Sequence, residues 1–376
     1  MKIDLSAQQK EDRAAFRAFT DEEIVPYANE YDRQERFPPE LIKKLGQRGY
    51  LGYLIPKEYG GAGKDLITYG LLNEEIGRGC SSTRSLLTVH GMASRAVVKW
   101  GTKQQKQDLL PRLASGEVIG AFGMTEPAAG SDVEAVETTA RFCCDHYVLN
   151  GVKKWVSFGQ VADLFLIFGR CEGKHTAFLV ERTSPGFSMK PVSGMLGVRA
   201  SMLAELRMEE CRIPKENVVG KIGFGLPIAS SALHYGRYSV AWGCVGIAQA
   251  CLNACVEYSN RRKQFGKYLK DHQLIQKMIS DMVTNLRAAR LLCFQAGYCT
   301  EIKDAEAVMA TLIAKYFAST TATKAATDAV QIHGANGCSG RFPVERYMRD
   351  ARIMEIIEGS TQIQQITIAK YKAHTF

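Results

Sequence analysis

Residues 346–370 read RYMRDARIMEIIEGSTQIQQITIAK, an apolar stretch that carries two carboxylates three residues apart. The second of them, Glu358, lies between an Ile-Ile pair and Gly359, a residue that commonly ends helices. A glutamate in this setting is either a surface group beside a helix end or a desolvated base. The choice between the two depends on the rest of the chain.

Bulk composition limits the class of protein. A chain of 376 residues is expected to form two or three domains, and 46% hydrophobic with 23% charged residues is typical of a globular protein. The net charge of +9 is moderate, and its most basic stretch, 260–270, is interrupted by aromatic residues and glycine. This pattern favours a local anion site over a nucleic-acid surface, and no nucleic-acid partner is expected.

Cysteine spacing and hydropathy predict neither a metal site nor a membrane anchor. The eleven cysteines include no C-x-x-C pair and no accompanying histidine cluster, which favours free thiols in a reducing cytosol. The N-terminus lacks the apolar region of a signal peptide. Residues 239–256 are uncharged but contain polar residues and glycines, so a buried helix is favoured over a membrane span. The expected location is cytoplasmic.

Periodicity divides the chain into three segments. The first third is helix-like, with a capping-box pattern at Ser6 and Gln9 and with Pro39 suited to a first helical turn. From about residue 120 the pattern becomes strand-like, and Asn150-Gly151 predicts a two-residue hairpin turn. Helical patterns return over 228–260, 272–300, 304–333 and 345–372. We therefore predict an α+β protein with domains at 1–118, 119–224 and 225–376.

The motifs exclude one common cofactor fold. No G-x-G-x-x-G follows a strand, and strands do not alternate with helices, so a doubly wound dinucleotide-binding domain is not predicted. A different resemblance is carried by six segments in register, which read GAFGMTEPAAGSD (120–132), KKWVSFG (153–159), GRYSVAWGCVGIAQA (236–250), RRKQFG (261–266), QIHGANG (331–337) and MRDARIMEIIEGSTQIQ (348–364).

Together these segments resemble the flavin-dependent acyl-CoA dehydrogenases. The resemblance implies an N-terminal helical domain, a middle β-barrel and a C-terminal four-helix bundle, with FAD between barrel and bundle. The implied FAD contacts are Phe122, Met124, Thr125, Gly130, Ser131, Trp155, Val156, Ser157, Arg262, Gln273, Gln331, Gly334, Ala335, Ser360 and Gln362.

Each of these contacts has a simpler alternative when taken alone. The stretch 124–132 is then an ordinary loop, Trp155 a core residue, and Arg262 a solvated cation. The resemblance implies instead that Arg262 reaches the FAD pyrophosphate across a subunit interface, where its fixed guanidinium fork suits the dianion. A homodimer or homotetramer is therefore expected.

The resemblance also implies that Glu358 is the catalytic base. It would remove the α-proton of an acyl thioester while a hydride leaves the β-carbon for flavin N5. We expect Ile356 and Ile357 to desolvate the carboxylate and raise its pKa. A second branch of the family keeps its base at the position of Gly236, which has no side chain to ionise. Glu355 is expected to be structural.

The implied substrate contacts are Ser131, His234, Arg237 and Gly359. His234 stands where members that use CoA carry an aspartate. The stretches YGRYSVAWGCVGI and MEIIEGS are similar to the branch that works on carrier-protein thioesters in polyketide extender-unit pathways. We therefore expect a carrier-protein-bound glyceryl or related three-carbon unit, leading toward hydroxymalonyl. The phosphopantetheine thioester would be presented by an acyl carrier protein, with a short acyl-CoA as the alternative.

Other readings of the family resemblance stay open at this point. These are a prolyl-carrier-protein oxidase, a flavin monooxygenase of the same fold and a non-catalytic flavoprotein scaffold. The last two should lack the carboxylate base that this chain has at position 358. The electron acceptor is left open by the sequence.

Overall fold

The computed structural model describes residues 4–373. Its first segment is helical, with α1(Ala7–Glu23), α2(Ala28–Gln34), α3(Pro39–Gln47), α4(Leu66–Gly79), α5(Ser81–Trp100) and α6(Lys103–Ser115). The Ser6 side chain and Gln9 form the predicted capping box, and Pro39 occupies the first turn of α3. The predicted helical N-terminal segment is therefore confirmed.

The middle segment forms a single eight-stranded sheet. Its strands are β1(Gly120–Gly123), β2(Thr139–Cys143), β3(His146–Val156), β4(Leu164–Cys171), β5(Lys174–Glu181), β6(Phe187–Pro191), β7(Ala204–Pro214) and β8(Val218–Val219). The strand order is β6-β7-β3-β2-β4-β5-β8, and β1 pairs in parallel with β4. The predicted switch to a β-rich middle segment is confirmed, and most of its neighbouring strands are antiparallel.

One hairpin prediction is wrong. Asn150 and Gly151 lie inside β3, and the turn between β2 and β3 is formed by Cys144 and Asp145. The pairing of β3 with β7 shifts register between Leu149 and Gly151, which marks a bulge. A Cβ on Gly151 would lie 2.3 Å from Thr138 Oγ1, so the glycine is needed for this close approach and not for a turn.

The last segment is a helical bundle around one long helix. It contains α7(Gly225–Arg261), the short strands β9(Lys263–Gln264) and β10(Lys267–Tyr268), and then α8(Gln273–Glu301), α9(Ala307–His333), α10(Val344–Met354) and α11(Thr361–Ala373). Helix α7 packs against α8, α9 and α10, and also against α4 and α5 of the first segment. Among residues 4–373 it is the one helix long and apolar enough to cross a membrane, but 72% of its most apolar window is buried in the protein. It is thus the core helix that the sequence predicted.

The predicted final helix over 345–372 is interrupted. Helix α10 ends at Met354, α11 begins at Thr361, and Glu358 lies in the turn between them. The helical segments meet the sheet through two apolar clusters, the larger of which includes Phe16 of α1, Phe158 after β3 and Trp242 of α7. The domain boundaries at 118/119 and 224/225 fall between α6 and β1 and between β8 and α7, and they stay a proposal.

Candidate active site

The turn that carries Glu358 has an unusual backbone. Glu358 has a φ of 56° and Gly359 a φ of 89°, so two consecutive residues are in the left-handed region. Glycine adopts this conformation without strain, whereas a glutamate does so at an energetic cost. A Cβ on Gly359 would lie 3.5 Å from Gln364 Nε2, an ordinary contact, so the positive φ is what requires glycine here.

Side chains from three helices hold this turn. Arg237 of α7 donates from Nε to the Glu358 carbonyl at 3.0 Å, and Lys315 of α9 donates from Nζ to the Gly359 carbonyl at 2.7 Å. Gln364 of α11 donates to the Gly359 carbonyl at 3.1 Å. The backbone N–H of Glu358, in contrast, has no acceptor among residues 4–373. It is available to bind an oxygen from outside the chain.

Burial dominates the electrostatics of the Glu358 carboxylate. Its Oε2 atom is inaccessible to solvent and has no hydrogen-bond partner among the described residues. Desolvation raises the pKa of Glu358 to about 7, although the nearby cations Arg237, Lys315 and Arg84 lower it. Burial therefore outweighs three positive charges, and the carboxylate is suited to take up a proton near neutral pH.

The predicted source of this desolvation was partly wrong. The side chain of Ile356 is 54% exposed, and Ile357 is only half-buried. The carboxylate instead packs against Gly236 of α7 and lies close to Met92 of α5. Contacts between helices that are distant in sequence create the apolar environment, because the turn directs the Glu358 side chain away from its own neighbours.

Gly236 leaves the space that the carboxylate fills. A Cβ at this position would lie 2.6 Å from Glu358 Oε2 and 2.7 Å from Met92 Sδ. Positions 236 and 358 therefore face the same small volume, and only one of them can place a side chain there. Glu355, one turn earlier, pairs with Arg352 and accepts a hydrogen bond from Thr361 through its carbonyl, and its structural role stays a prediction.

Two buried cations near Glu358 were missed by the sequence interpretation. Arg84 is 1% exposed and donates to Thr88 Oγ1 at 2.7 Å, while its Nε has no partner among the described residues. Lys315 is fully buried. Single charges within the otherwise uncharged stretches SSTRSLL and LIAKYFA were the available signal, because arginine and lysine are rarely buried without a partner or a function.

The predicted substrate residue His234 is half-buried on α7 near the turn. Its Nε2 lies 3.0 Å from Thr300 Oγ1, and its Nδ1 has no partner among the described residues. Desolvation lowers its pKa to about 4, and the nearby positive charges of Arg237 and Lys99 act in the same direction. His234 is therefore neutral at physiological pH and provides no fixed charge, unlike an aspartate at this position.

A second group of predicted residues surrounds the ends of β1 and β3. Phe122 and Met124 belong to the β1 strand and its continuation, and the Thr125 carbonyl accepts a hydrogen bond from Lys154 N at 2.8 Å. Trp155, with a φ of 59°, is 47% exposed, which excludes a role in the core. Val156 is buried, Ser157 is half-buried, and Gly130 and Ser131 are exposed on the adjoining loop.

A buried ion pair joins these two strand ends. Lys153 donates from Nζ to Glu126 Oε1 at 2.6 Å and to the Met124 carbonyl at 3.2 Å. The Glu126 carboxylate also accepts hydrogen bonds from the backbone N–H groups of Glu137 and Thr138. Neither Lys153 nor Glu126 was singled out from the sequence. The pair fixes the loop that follows β1 against β3. The exposed Trp155 lies two residues after Lys153 on the same strand.

A third group lies at the other end of the bundle. Arg262 follows α7, Gln273 begins α8, and Gln331, Gly334 and Ala335 lie at the end of α9, all of them exposed. Tyr258 stacks on His333 with ring centroids 4.2 Å apart, which brings the ends of α7 and α9 together. Along a continuous helix at 1.5 Å per residue, Arg262 is about 39 Å from Gly236.

The remaining predicted residues lie at the start of α11. Ser360 accepts a hydrogen bond from the Ile363 N–H on its Oγ at 3.3 Å, and Gln362 is exposed. The structure therefore brings Glu358, Gly359, Ser360, His234 and Arg237 together in one site. It places the Phe122–Ser131 and Trp155–Ser157 segments side by side in a second group. The Arg262 group is remote from Glu358 within the chain.

These residues fit a flavin dinucleotide. Trp155 presents a large aromatic surface to solvent, and a Cβ on Gly130 would meet no atom within 4 Å, so its backbone is open to close approach. Arg262 is exposed and has no carboxylate partner among residues 4–373, which leaves its guanidinium available for a phosphate. A buried, unpaired carboxylate on Glu358 supplies a proton acceptor. Together they define a flavin-dependent oxidoreductase that acts on carbon–hydrogen bonds.

Comparison with known proteins gives the family. Three domain models of acyl-CoA dehydrogenases match this chain, the N-terminal model over residues 6–117, the middle model over 121–211 and the C-terminal model over 223–372. The chain belongs to the acyl-CoA dehydrogenase family, whose members are FAD-dependent oxidoreductases acting on CH–CH bonds. The predicted family, three-part fold, enzyme class and cofactor are thereby confirmed.

Individual relatives cover the whole chain. The short-chain specific acyl-CoA dehydrogenase of Clostridium acetobutylicum is 40% identical over 98% of this chain and 99% of its own length. A glutaryl-coenzyme A dehydrogenase in complex with glutaryl-CoA superposes with a TM-score of 0.96 at 36% identity, covering 100% of this chain and 98% of that one. FkbI, for biosynthesis of the methoxymalonyl extender unit of the FK520 polyketide, superposes with a TM-score of 0.89 at 34% identity, covering 96% and 99%.

Proposed function

We propose that this protein dehydrogenates a short acyl thioester, with Glu358 as the base that removes the α-proton. The observation that carries the proposal is the inaccessible, unpartnered Oε2 atom of Glu358, whose pKa burial raises to about 7. FAD, when bound, supplies the acceptor for the hydride that leaves the β-carbon. Loss of one proton and one hydride removes two hydrogens and two electrons, and the electron pair of the broken α C–H bond becomes the second bond between the α- and β-carbons.

The backbone of the same residue has a complementary role. Because the Glu358 N–H has no internal acceptor, it is free to donate to the thioester oxygen while the carboxylate takes the α-proton. Negative charge develops on that oxygen as the proton leaves, and a fixed N–H donor stabilises it. Arg237 and Lys315 keep the turn in place, so that the carboxylate and the N–H act from one rigid segment.

For the substrate, we propose a three-carbon acyl group on a carrier protein. Two observations support it: a neutral His234 replaces a charged aspartate near the base, and the net charge of +9 favours docking of an acidic carrier protein. A glyceryl thioester would lose its C2 proton and a C3 hydride to give an enediol. That enediol tautomerises to a 3-oxo acyl group, one further oxidation away from hydroxymalonyl.

The second candidate is a short-chain acyl-CoA dehydrogenase of fatty-acid or amino-acid catabolism. It is favoured by the 40% identity to a short-chain specific enzyme over nearly the whole chain. Both candidates require the same base and cofactor. They differ only in the group that carries the thioester and in the polarity of the acyl chain.

The distinguishing experiment adds each substrate to the oxidised enzyme without oxygen. We expect glyceryl–carrier protein to bleach the visible flavin absorbance band, while butyryl-CoA at the same concentration bleaches it slowly or not at all. Fast bleaching by butyryl-CoA alone would establish the second candidate. Glu358→Gln is the control, because it should retain FAD and fail to bleach with either substrate.

We further propose that the protein works as a homodimer or homotetramer. Arg262 lies about 39 Å along α7 from Gly236, the residue against which the Glu358 carboxylate packs, so within one chain the two are at opposite ends of the helix. An arginine donated by a second subunit resolves this separation. The Arg262 group of each chain would then complete the flavin site of its partner.

A further inference from the structure

The turn that carries the base requires external support. Glu358 and Gly359 are both in the left-handed region, with φ values of 56° and 89°. For a non-glycine residue this conformation costs roughly 1–2 kcal/mol, and it persists only where the surroundings enforce it. Thr361 N donates to the Glu355 carbonyl at 2.9 Å, but this bond closes the turn without fixing the carbonyls of 358 and 359.

We propose that Lys315 is a positioning residue for the proposed reaction, holding the Glu358–Gly359 turn so that the carboxylate of Glu358 keeps its buried orientation. Its Nζ donates to the Gly359 carbonyl at 2.7 Å, the shortest of the side-chain contacts to this turn. Arg237 holds the preceding carbonyl from the opposite helix, α7. The inference rests on the proposed function, since it assigns Lys315 a role only through Glu358.

Packing alone does not explain a lysine at this position. Lys315 is 0% exposed in the middle of α9, and no carboxylate forms an ion pair with it within residues 4–373. A buried ammonium is strongly disfavoured unless it is hydrogen-bonded, and the Gly359 carbonyl is the acceptor that the structure provides. A methionine of similar length would fill the space without that penalty.

Lys315 also acts on the base through its charge. The groups that face it are Cys244 and Arg237 of α7, together with Glu355 and Glu358 of the turn. Burial lowers the pKa of Lys315 to about 8, so it is mostly charged at neutral pH. A positive charge beside Glu358 favours the ionised carboxylate and opposes the effect of burial on its pKa. Loss of Lys315 should therefore make the base harder to ionise.

The test compares wild type, Lys315→Met and Lys315→Gln as FAD-loaded proteins. Amide hydrogen exchange across residues 355–361 reports the turn without any turnover, and exchange there should be about tenfold faster in Lys315→Met. The acid limb of kcat/KM should move up by about one pH unit, because the neighbouring charge is lost. Lys315→Gln keeps an N–H donor but has no charge. It should therefore shift the acid limb of kcat/KM as Lys315→Met does, while the amides of residues 355–361 exchange more slowly than in Lys315→Met.

Lys324→Met is the matched control, since Lys324 lies on the same helix with a 61% exposed side chain and pairs with Asp328. The proposal would be overturned if both Lys315 variants matched this control in the amide hydrogen exchange of residues 355–361 and in the pH of the acid limb of kcat/KM. If Lys315→Met does not accumulate as folded protein, Lys315→Gln decides: an acid limb of kcat/KM at higher pH than in wild type supports the proposal, and an unshifted one overturns it. If the wild type oxidises no acyl thioester, the proposed function fails, while the exchange of residues 355–361 still decides whether Lys315 holds the turn.

Discussion

Gly236 and Glu358 share one small volume between α7 and the turn before α11. A Cβ on Gly236 would lie 2.6 Å from Glu358 Oε2 and 2.9 Å from its Cδ, both shorter than van der Waals contact. The absence of a side chain at position 236 is therefore what allows the carboxylate of Glu358 to occupy its buried position. This relationship explains why a chain with a buried carboxylate at 358 has glycine at 236.

Gly236→Ala should displace the base. Because the added methyl group would also lie 2.7 Å from Met92 Sδ, it cannot be accommodated by a small shift of the carboxylate alone. We expect kcat to fall at least about 100-fold, as for a misplaced catalytic group, with FAD content unchanged. Stopped-flow measurement of flavin reduction checks this. Ser230→Ala, at an exposed position on the same helix, is the control and should leave the rate unaltered.

Glu358 should give the protein a characteristic pH dependence of stability. Its pKa is raised by burial from an ordinary 4.5 to about 7, so the folded state binds more protons than the unfolded state between these values. Stability therefore falls as pH rises through this window, by about 3 kcal/mol in total. Glu358→Gln should remove this loss, which makes the variant more stable than wild type at pH 8 and not at pH 4.

Urea unfolding of wild type and Glu358→Gln at pH 4 and at pH 8 measures the difference in their free energies of unfolding. An equal free energy of unfolding at pH 8 would contradict a desolvated carboxylate at this position. The acid limb of kcat/KM provides an independent check, since the proposed base must lose its proton before it can act, and that limb is expected near pH 7.

The buried pair of Lys153 and Glu126 should control FAD retention. Both side chains are almost inaccessible, so Lys153→Met leaves the Glu126 carboxylate buried without its counter-ion. Such a change typically costs about 3–5 kcal/mol of folding free energy. We expect faster loss of FAD on gel filtration, because the pair anchors Met124 and the loop after it to β3.

The double variant Glu126→Gln with Lys153→Met separates charge from packing. Removal of both charges should recover part of the lost stability, since no unpaired ion remains. If the single and double variants are equally destabilised, the loss comes from packing of the lysine chain and not from an unpaired carboxylate.

Arg262 and Glu358 should act from different subunits. Arg262→Ala and Glu358→Gln are each expected to abolish turnover as homo-oligomers. Coexpressed, they should regain about a quarter of wild-type activity, because half of randomly paired dimers are hybrids with one intact site. The hybrid, isolated with two affinity tags, should then show about half of the wild-type rate of flavin reduction, since one of its two sites is intact. Hybrids with no activity would place Arg262 and the base in the same chain's site.

The sequence predicted regular elements well and local turns poorly. The capping box at Ser6, the helix start at Pro39 and the buried character of α7 follow from local patterns, and the structure confirms them. Asn150-Gly151 was misleading, because a glycine needed for a close approach to Thr138 has the same signature as a turn glycine. The break between α10 and α11 was not predicted although Gly359 signalled a helix end, because the helical pattern continues on both sides of it.

The sequence by itself determined the three-part order of helices, sheet and helices, the family, and the identity of the carboxylate at 358. These depend on residue type, spacing and periodicity, which are properties of the chain alone. Only the tertiary structure decided what surrounds that carboxylate, namely Gly236 and Met92 on one side and Arg84, Arg237 and Lys315 nearby. The physical reason is that a pKa depends on solvent exclusion and charge at distances of a few ångströms, which are set by helices far apart in sequence.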